Sequence, residues 1–123
     1  MDITTLYYKK KSIESLEQTA SQNKASAIDM QKTGDLVLAN NHTEDRFNEA
    51  KVYFNLAIDF YNVALYDYMK AYACAYELDN LVDKASYMAE CVECKKGIEV
   101  LNRAVRFCDD TLKARHEDFL KTK

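Results

Sequence analysis

The residues of this chain best suited to chemistry are its four cysteines, Cys74, Cys91, Cys94 and Cys108. Cys91 and Cys94 form a Cys-x-x-Cys pair, with Cys74 seventeen residues before it and Cys108 fourteen after it. Four thiolates can close a tetrahedral zinc site, and a Cys-x-x-Cys pair can cycle between dithiol and disulfide. Residues three apart share a helical face, so a metal held between helices would draw on all four. Structural zinc sites, however, ordinarily use two close pairs on turns, and this chain has one pair inside a helical pattern. A thioredoxin-like motif needs a strand before it, and no strand pattern precedes Cys91. The thiols are therefore read as separate core or surface cysteines, with metal binding and redox chemistry as lesser alternatives. No metal and no cofactor is assigned.

The remaining candidates for chemistry are few. His42 lies in a polar stretch and His116 near the carboxyl end, and neither has a nucleophile or paired carboxylate near it in sequence. Glu90 and Glu93 flank the cysteines and Asp109-Asp110 follow Cys108, a pattern that reads as solvated helix faces. No Glu-x-x-His motif occurs, which removes the sequence signal of a di-iron bundle. The two glycines, Gly34 and Gly97, are too far apart to build a phosphate-cradling loop. The expectation is a protein without enzymatic activity.

Nine tyrosines are the other unusual feature, seven of them between Tyr53 and Tyr87. Tyr68, Tyr72 and Tyr76 recur every four residues and share one helical face. Such a stripe reads first as core. Tyrosine also suits interfaces, because its ring buries a large area and its hydroxyl keeps a hydrogen bond.

Charge narrows the partner class. The 123 residues carry a net charge of -3, distributed as a neutral segment 1–43, an acidic segment 44–99 with net -5, and a tail 100–123 with net +2. No basic stripe is available for phosphate contacts, so nucleic acid is not expected as the ligand. No window approaches the ~20 apolar residues of a membrane span. The lysine run at residues 9–11 has no apolar stretch behind it, unlike a secretory signal. The chain is read as cytoplasmic, with reduced thiols.

These residues must be positioned by helices. Apolar residues recur at three and four, as in Phe47, Ala50, Phe54 and Ala57, and again in Ile98, Leu101, Val105 and Cys108. There is no proline, no alternating β-branched run, and too little glycine for the turns of a many-stranded sheet. Breaks are expected at Gly34, at Asn40-Asn41-His42-Thr43, at Asp79-Asn80 and at Lys95-Lys96-Gly97. Thr43 or Glu44-Asp45 suits a helix start, and Lys95-Lys96-Gly97 has the form of a C-cap. The pattern predicts helices near 3–22, 25–39, 45–61, 63–78, 81–95 and 98–120, an all-α fold in a single domain, 1–123.

A shift of 35 residues places Phe47, Ala50, Phe54 and Ala57 on Val82, Ala85, Ala89 and Val92, with shared spacing three, four, three. Upstream, Met30, Thr33, Gly34 and Val37 share the spacing three, one, three of Met69, Tyr72, Ala73 and Tyr76, the earlier copy having about four extra residues in its inner turn, Asn40 to Asp45. In this the chain resembles the tetratricopeptide-repeat family over about residues 27–97, with Met69–Ala85 following the pattern without a gap. Gly97 and Asn62 stand where that family places its terminating proline. The resemblance implies helix pairs 27–62 and 63–97 stacked as a short solenoid, with 98–120 as a C-terminal capping helix. It also implies a groove lined by the first helix of each pair, which places Gln31, Asp35 and Leu38 with Asp67, Lys70, Cys74 and Glu77 as partner-binding residues. Lys70 fits the lysine of the family's carboxylate clamp, while Cys74 and Gln31 depart from it.

A second architecture needs no repeat. Residues 45–78 contain neither glycine nor proline and could form one continuous helix in an up-and-down bundle, with Phe47, Phe54, Tyr68 and Tyr72 along its seam. The functional expectation is an interaction module, adaptor, chaperone-like or inhibitory, that binds a protein segment on a helical groove. A self-associating bundle, as a homodimer, is the alternative, with a cysteine-based metal or thiol protein behind it.

Overall fold

A heptad spacing of apolar residues asks for long helices that wrap around one another, and the computed structural model, which describes residues 2–122, has that form. It contains three helices: α1 (Ile3–Asn40), α2 (Glu44–Glu77) and α3 (Leu81–Lys121). At ~1.5 Å per residue they are ~57, ~51 and ~62 Å long. Three-residue connections, 41–43 and 78–80, make consecutive helices antiparallel, so α1 and α3 run parallel. No strand occurs among the described residues, and no helix is long and apolar enough to cross a membrane.

Each helix starts on a capping side chain. Asp2 accepts from the Thr5 N–H at 2.7 Å, Thr43 from Arg46 at 3.3 Å, and Asn80 from Asp83 at 3.1 Å. α2 ends in a Schellman turn, with Asn80 N–H donating to Ala75 C=O and Asp79 N–H to Tyr76 C=O. Asp79 supplies the left-handed residue, at φ 54°. The breaks expected at Asn40–Thr43 and Asp79-Asn80 are thus the two real turns.

The other expected breaks are absent. α1 continues through residues 22–25 and Gly34, α2 through Asn62, and α3 through Lys95-Lys96-Gly97. Six predicted helices are three. Neither glycine has positive φ, so neither acts as a cap. Their role is close approach. A Cβ at Gly34 would stand 2.5 Å from the Phe54 ring, and one at Gly97 would stand 2.6 Å from the Tyr61 ring. Each glycine makes room for an aromatic side chain of α2.

α2 is central. It buries Phe47, Ala50, Phe54, Ala57, Tyr61, Ala64, Tyr68, Ala71 and Ala75, an unbroken three-four alternation. Every residue at the second position of this alternation is alanine. α1 meets it with Ile13, Ala20, Ala27 and Gly34, seven apart, and α3 with Tyr87, Cys94, Leu101 and Cys108, also seven apart. The alanines and Gly34 let α1 and α2 pack closely, while the rings of α2 fill the space between the helices. α1 and α3 each pack along α2 and join one another through longer side chains. Lys24 Nζ meets Glu90 Oε2 at 2.7 Å and also pairs with Glu93, and the Tyr87 hydroxyl donates to Glu17 at 3.0 Å.

The 35-residue shift spans five heptads. Its two copies occupy different environments: Phe47, Ala50, Phe54 and Ala57 are buried, whereas Val82, Ala85, Ala89 and Val92 are exposed.

Candidate docking surface

The cysteines do not converge. Cys94 and Cys108 lie on the buried stripe of α3, ~21 Å apart along it at ~1.5 Å per residue. Cys91 is half-buried in a groove between α2 and α3, and Cys74 is half-buried on α2. Cys74 sits seven residues from Asp67 and fourteen from Phe60, on the flank of α2 opposite the one that meets α3. Among the described residues no group of three or more His, Cys, Asp or Glu is placed to hold a metal. The four-cysteine site is therefore not assembled, because heptad packing sends the four thiols to three different faces. Burial pushes the Cys94 thiol up to about 11 and raises Cys91 and Cys108 as well. Such thiols are held protonated and are poor nucleophiles at neutral pH.

His42 packs its ring 5.7 Å from that of Phe47, in the turn between α1 and α2. His116 lines a surface hollow with Glu44, Arg115 and Phe119. Glu90 and Glu93 are engaged by Lys24. Burial works against the Lys24 charge, but the two carboxylates outweigh it and hold the pKa above its ordinary value. Hydrogen bonding from Lys24 in turn lowers the Glu93 pKa. Asp109 pairs with Lys51 across the α2–α3 seam. These acids tie helices together.

The seven expected partner-binding residues fall into two separated groups. Asp67, Lys70, Cys74 and Glu77 lie on the α1-facing flank and outer side of α2, where Lys70 lines a hollow with Tyr8, Lys11 and Ser12 of α1. Glu77 pairs with Lys9 at 2.6 Å. Gln31 and Leu38 stand seven and fourteen residues after Lys24, on the stripe of α1 that faces α3, and Asp35 is exposed beside them. Along α1, Lys9 and Leu38 are ~44 Å apart at ~1.5 Å per residue. The two groups occupy different faces and opposite ends, and the fold does not bring them into one groove.

Comparison with protein-family models, with curated proteins and with solved structures finds no match. The surface itself carries what can be inferred.

Among the described residues, that surface carries an extended apolar feature on α2. On the outer side of α2, away from both neighbours, Val52, Leu56, Val63 and Tyr66 are 58%, 41%, 47% and 59% exposed. With Asp59 and Lys70 they form a second three-four alternation, running Val52, Leu56, Asp59, Val63, Tyr66, Lys70, Ala73, Glu77. Met69 and Tyr72 continue the apolar character toward α3, where Met88, Cys91, Val92 and Lys95 complete a groove of about 220 Å³. The tyrosine stripe turns with the helix: Tyr68 is buried, Tyr72 half-buried and Tyr76 exposed. A four-residue step advances 40° per repeat, so the line leaves the core. Sequence reading found the buried alternation and overlooked the outer one. Its signal was present, since a helix apolar on two opposite faces has one more face than its own core needs.

Proposed function

We propose that this protein is a non-enzymatic interaction module that docks protein partners helix against helix, through the outer face of α2. The observation that carries this reading is the exposed run of Val52, Leu56, Val63 and Tyr66, four apolar side chains at coiled-coil spacing that no described helix covers. Tyr66 suits such a role, because its ring offers contact area at low entropic cost while Lys70 stacks above it, 4.4 Å from the ring centre. Of the expected partner-binding residues, Lys70 and Glu77 belong to this run and Asp67 flanks it, and all three stay in the proposal. Gln31, Asp35 and Leu38 belong to a different face and drop out of it.

Within the all-α architecture, the resemblance to tetratricopeptide hairpins is one of residue spacing only, because the helix pairs 27–62 and 63–97 need helix ends near residues 22–25, Asn62 and Gly97, where α1, α2 and α3 run on. A cytoplasmic setting, with reduced thiols and a protein partner, is proposed on the composition.

The test is capture of partners by tagged wild type against Leu56→Glu/Val63→Glu, with helicity checked by circular dichroism. Both side chains are exposed, so the fold should persist. A bound protein lost from the variant supports the docking face. Binding that is indifferent to the substitutions removes it.

A further inference from the structure

The outer seam of α2 has an internal symmetry. Reversing the helix about a point between Ala64 and Leu65 maps Val63 onto Tyr66, Asp59 onto Lys70, Leu56 onto Ala73 and Val52 onto Glu77. The spacing, four-three-four-three-four-three-four, reads the same in both directions. All eight residues except the last-turn Glu77, which also holds Lys9, lack an ion pair with another helix. Asp59 and Lys70 are both exposed and have no ion-pair partner among the described residues.

We propose that the occupant of this seam is a second copy of the chain, its α2 packed antiparallel across a two-fold axis at the level of residues 64–65. The inference rests on the docking reading above and names its partner. In an antiparallel helix pair the two seam positions alternate across the axis, so each layer joins one residue of each kind. Val63 then packs on the partner's Tyr66 and Leu56 on the partner's Ala73. Asp59 meets the partner's Lys70, and by symmetry Lys70 meets the partner's Asp59. The only two charges in the middle of the stripe thus cancel, twice.

A parallel arrangement would place Asp59 on the partner's Asp59 and Lys70 on the partner's Lys70. Like charges facing one another select against that alignment. An isologous interface requires a surface complementary to itself under a two-fold rotation, and the six central residues of this stripe, Leu56 to Ala73, meet the condition in charge as well as in apolar character, Val52 and Glu77 standing at its ends. Large side chains also face smaller ones, Leu56 against alanine and Tyr66 against valine, which lets the helices approach.

The deciding experiment is sedimentation equilibrium of the full chain from about 1 µM to several hundred micromolar, for wild type, Asp59→Lys, Lys70→Asp and an equimolar mixture of the two variants. Wild type is expected to dimerise. Each variant alone places like charges opposite one another in two layers and should self-associate at least tenfold more weakly. Mixed, the variants restore both opposite-charge layers and should form a heterodimer. Circular dichroism confirms that each remains helical. A monomeric wild type across the range overturns the dimer, and the capture experiment with Leu56→Glu/Val63→Glu then judges the docking face independently. Variants that dimerise like wild type, or a mixture that gains nothing, overturn the antiparallel register.

Discussion

Gly34 and Gly97 show how a residue's meaning depends on what stands opposite it. In isolation each is a poor helix residue, about 1 kcal/mol worse than alanine. Here the absence of a side chain admits Phe54 and Tyr61, so alanine should not rescue the helix. Gly34→Ala is expected to destabilise the protein by about 1–3 kcal/mol, because Phe54 is fully buried and cannot yield. Urea denaturation would measure this. In a Phe54→Leu background the same substitution should cost much less, and an additive double-mutant cycle would refute the contact. Cys94 gives a second prediction at this scale. The thiol titrates near 9.0 when unfolded and about 11 when folded. Its contribution is therefore complete below pH 9 and is lost as pH rises toward 11, since the unfolded chain releases its proton first. Thermal melting between pH 8 and 11 should show a steep fall worth up to about 3 kcal/mol. Cys94→Ala should flatten that slope while lowering the baseline.

Among the elements, the turns and the continuous helix over 45–78 of the second architecture were legible, while the unbroken α1 and α3 were not. Thr43 and Asn80 are capping residue types placed just before helical periodicity, and side-chain chemistry acts locally at such positions. Asp79 is the left-handed residue of the Schellman turn, a position that favours glycine. Asp79→Gly is expected to raise stability by about 0.5–1 kcal/mol. Asn80→Ala should lower it by about 1 kcal/mol through the lost cap on α3. Chemical denaturation of the two variants side by side checks both signs. By contrast, Lys95-Lys96-Gly97 has the local form of a helix end and is mid-helix. Packing against Tyr61 overrides the local preference, which is worth only a kcal/mol or so.

For the whole molecule, Lys24 is the residue that, among those described, ties α1 to two carboxylates of α3. Lys24→Met should lower the melting temperature and leave Glu90 and Glu93 repelling one another. The lowered Glu93 pKa gives this link a pH signature. Its stabilisation is present above the unfolded carboxylate value near 4.5 and is lost as pH falls through the lower folded value. Acid titration of stability should accordingly be shallower in Lys24→Met than in wild type. An unchanged acid limb would show that the link contributes nothing.

The chain by itself determined that it is helical and which residues share a stripe, and it marked both real turns among breaks that do not occur, because residue spacing and capping chemistry act over a few residues. The seven expected binding residues show where that information ends. Gln31 and Lys70 occupy matching places in the repeat, yet one lies on the α1 flank toward α3 and the other on the outer side of α2. Spacing fixes faces on one helix and leaves open which neighbour each face meets. Only tertiary packing decided that, through small residues that let α1 approach α2 and aromatic rings that set the space to α3. The same packing left the second seam of α2 uncovered, since a helix with two apolar faces can turn only one of them inward.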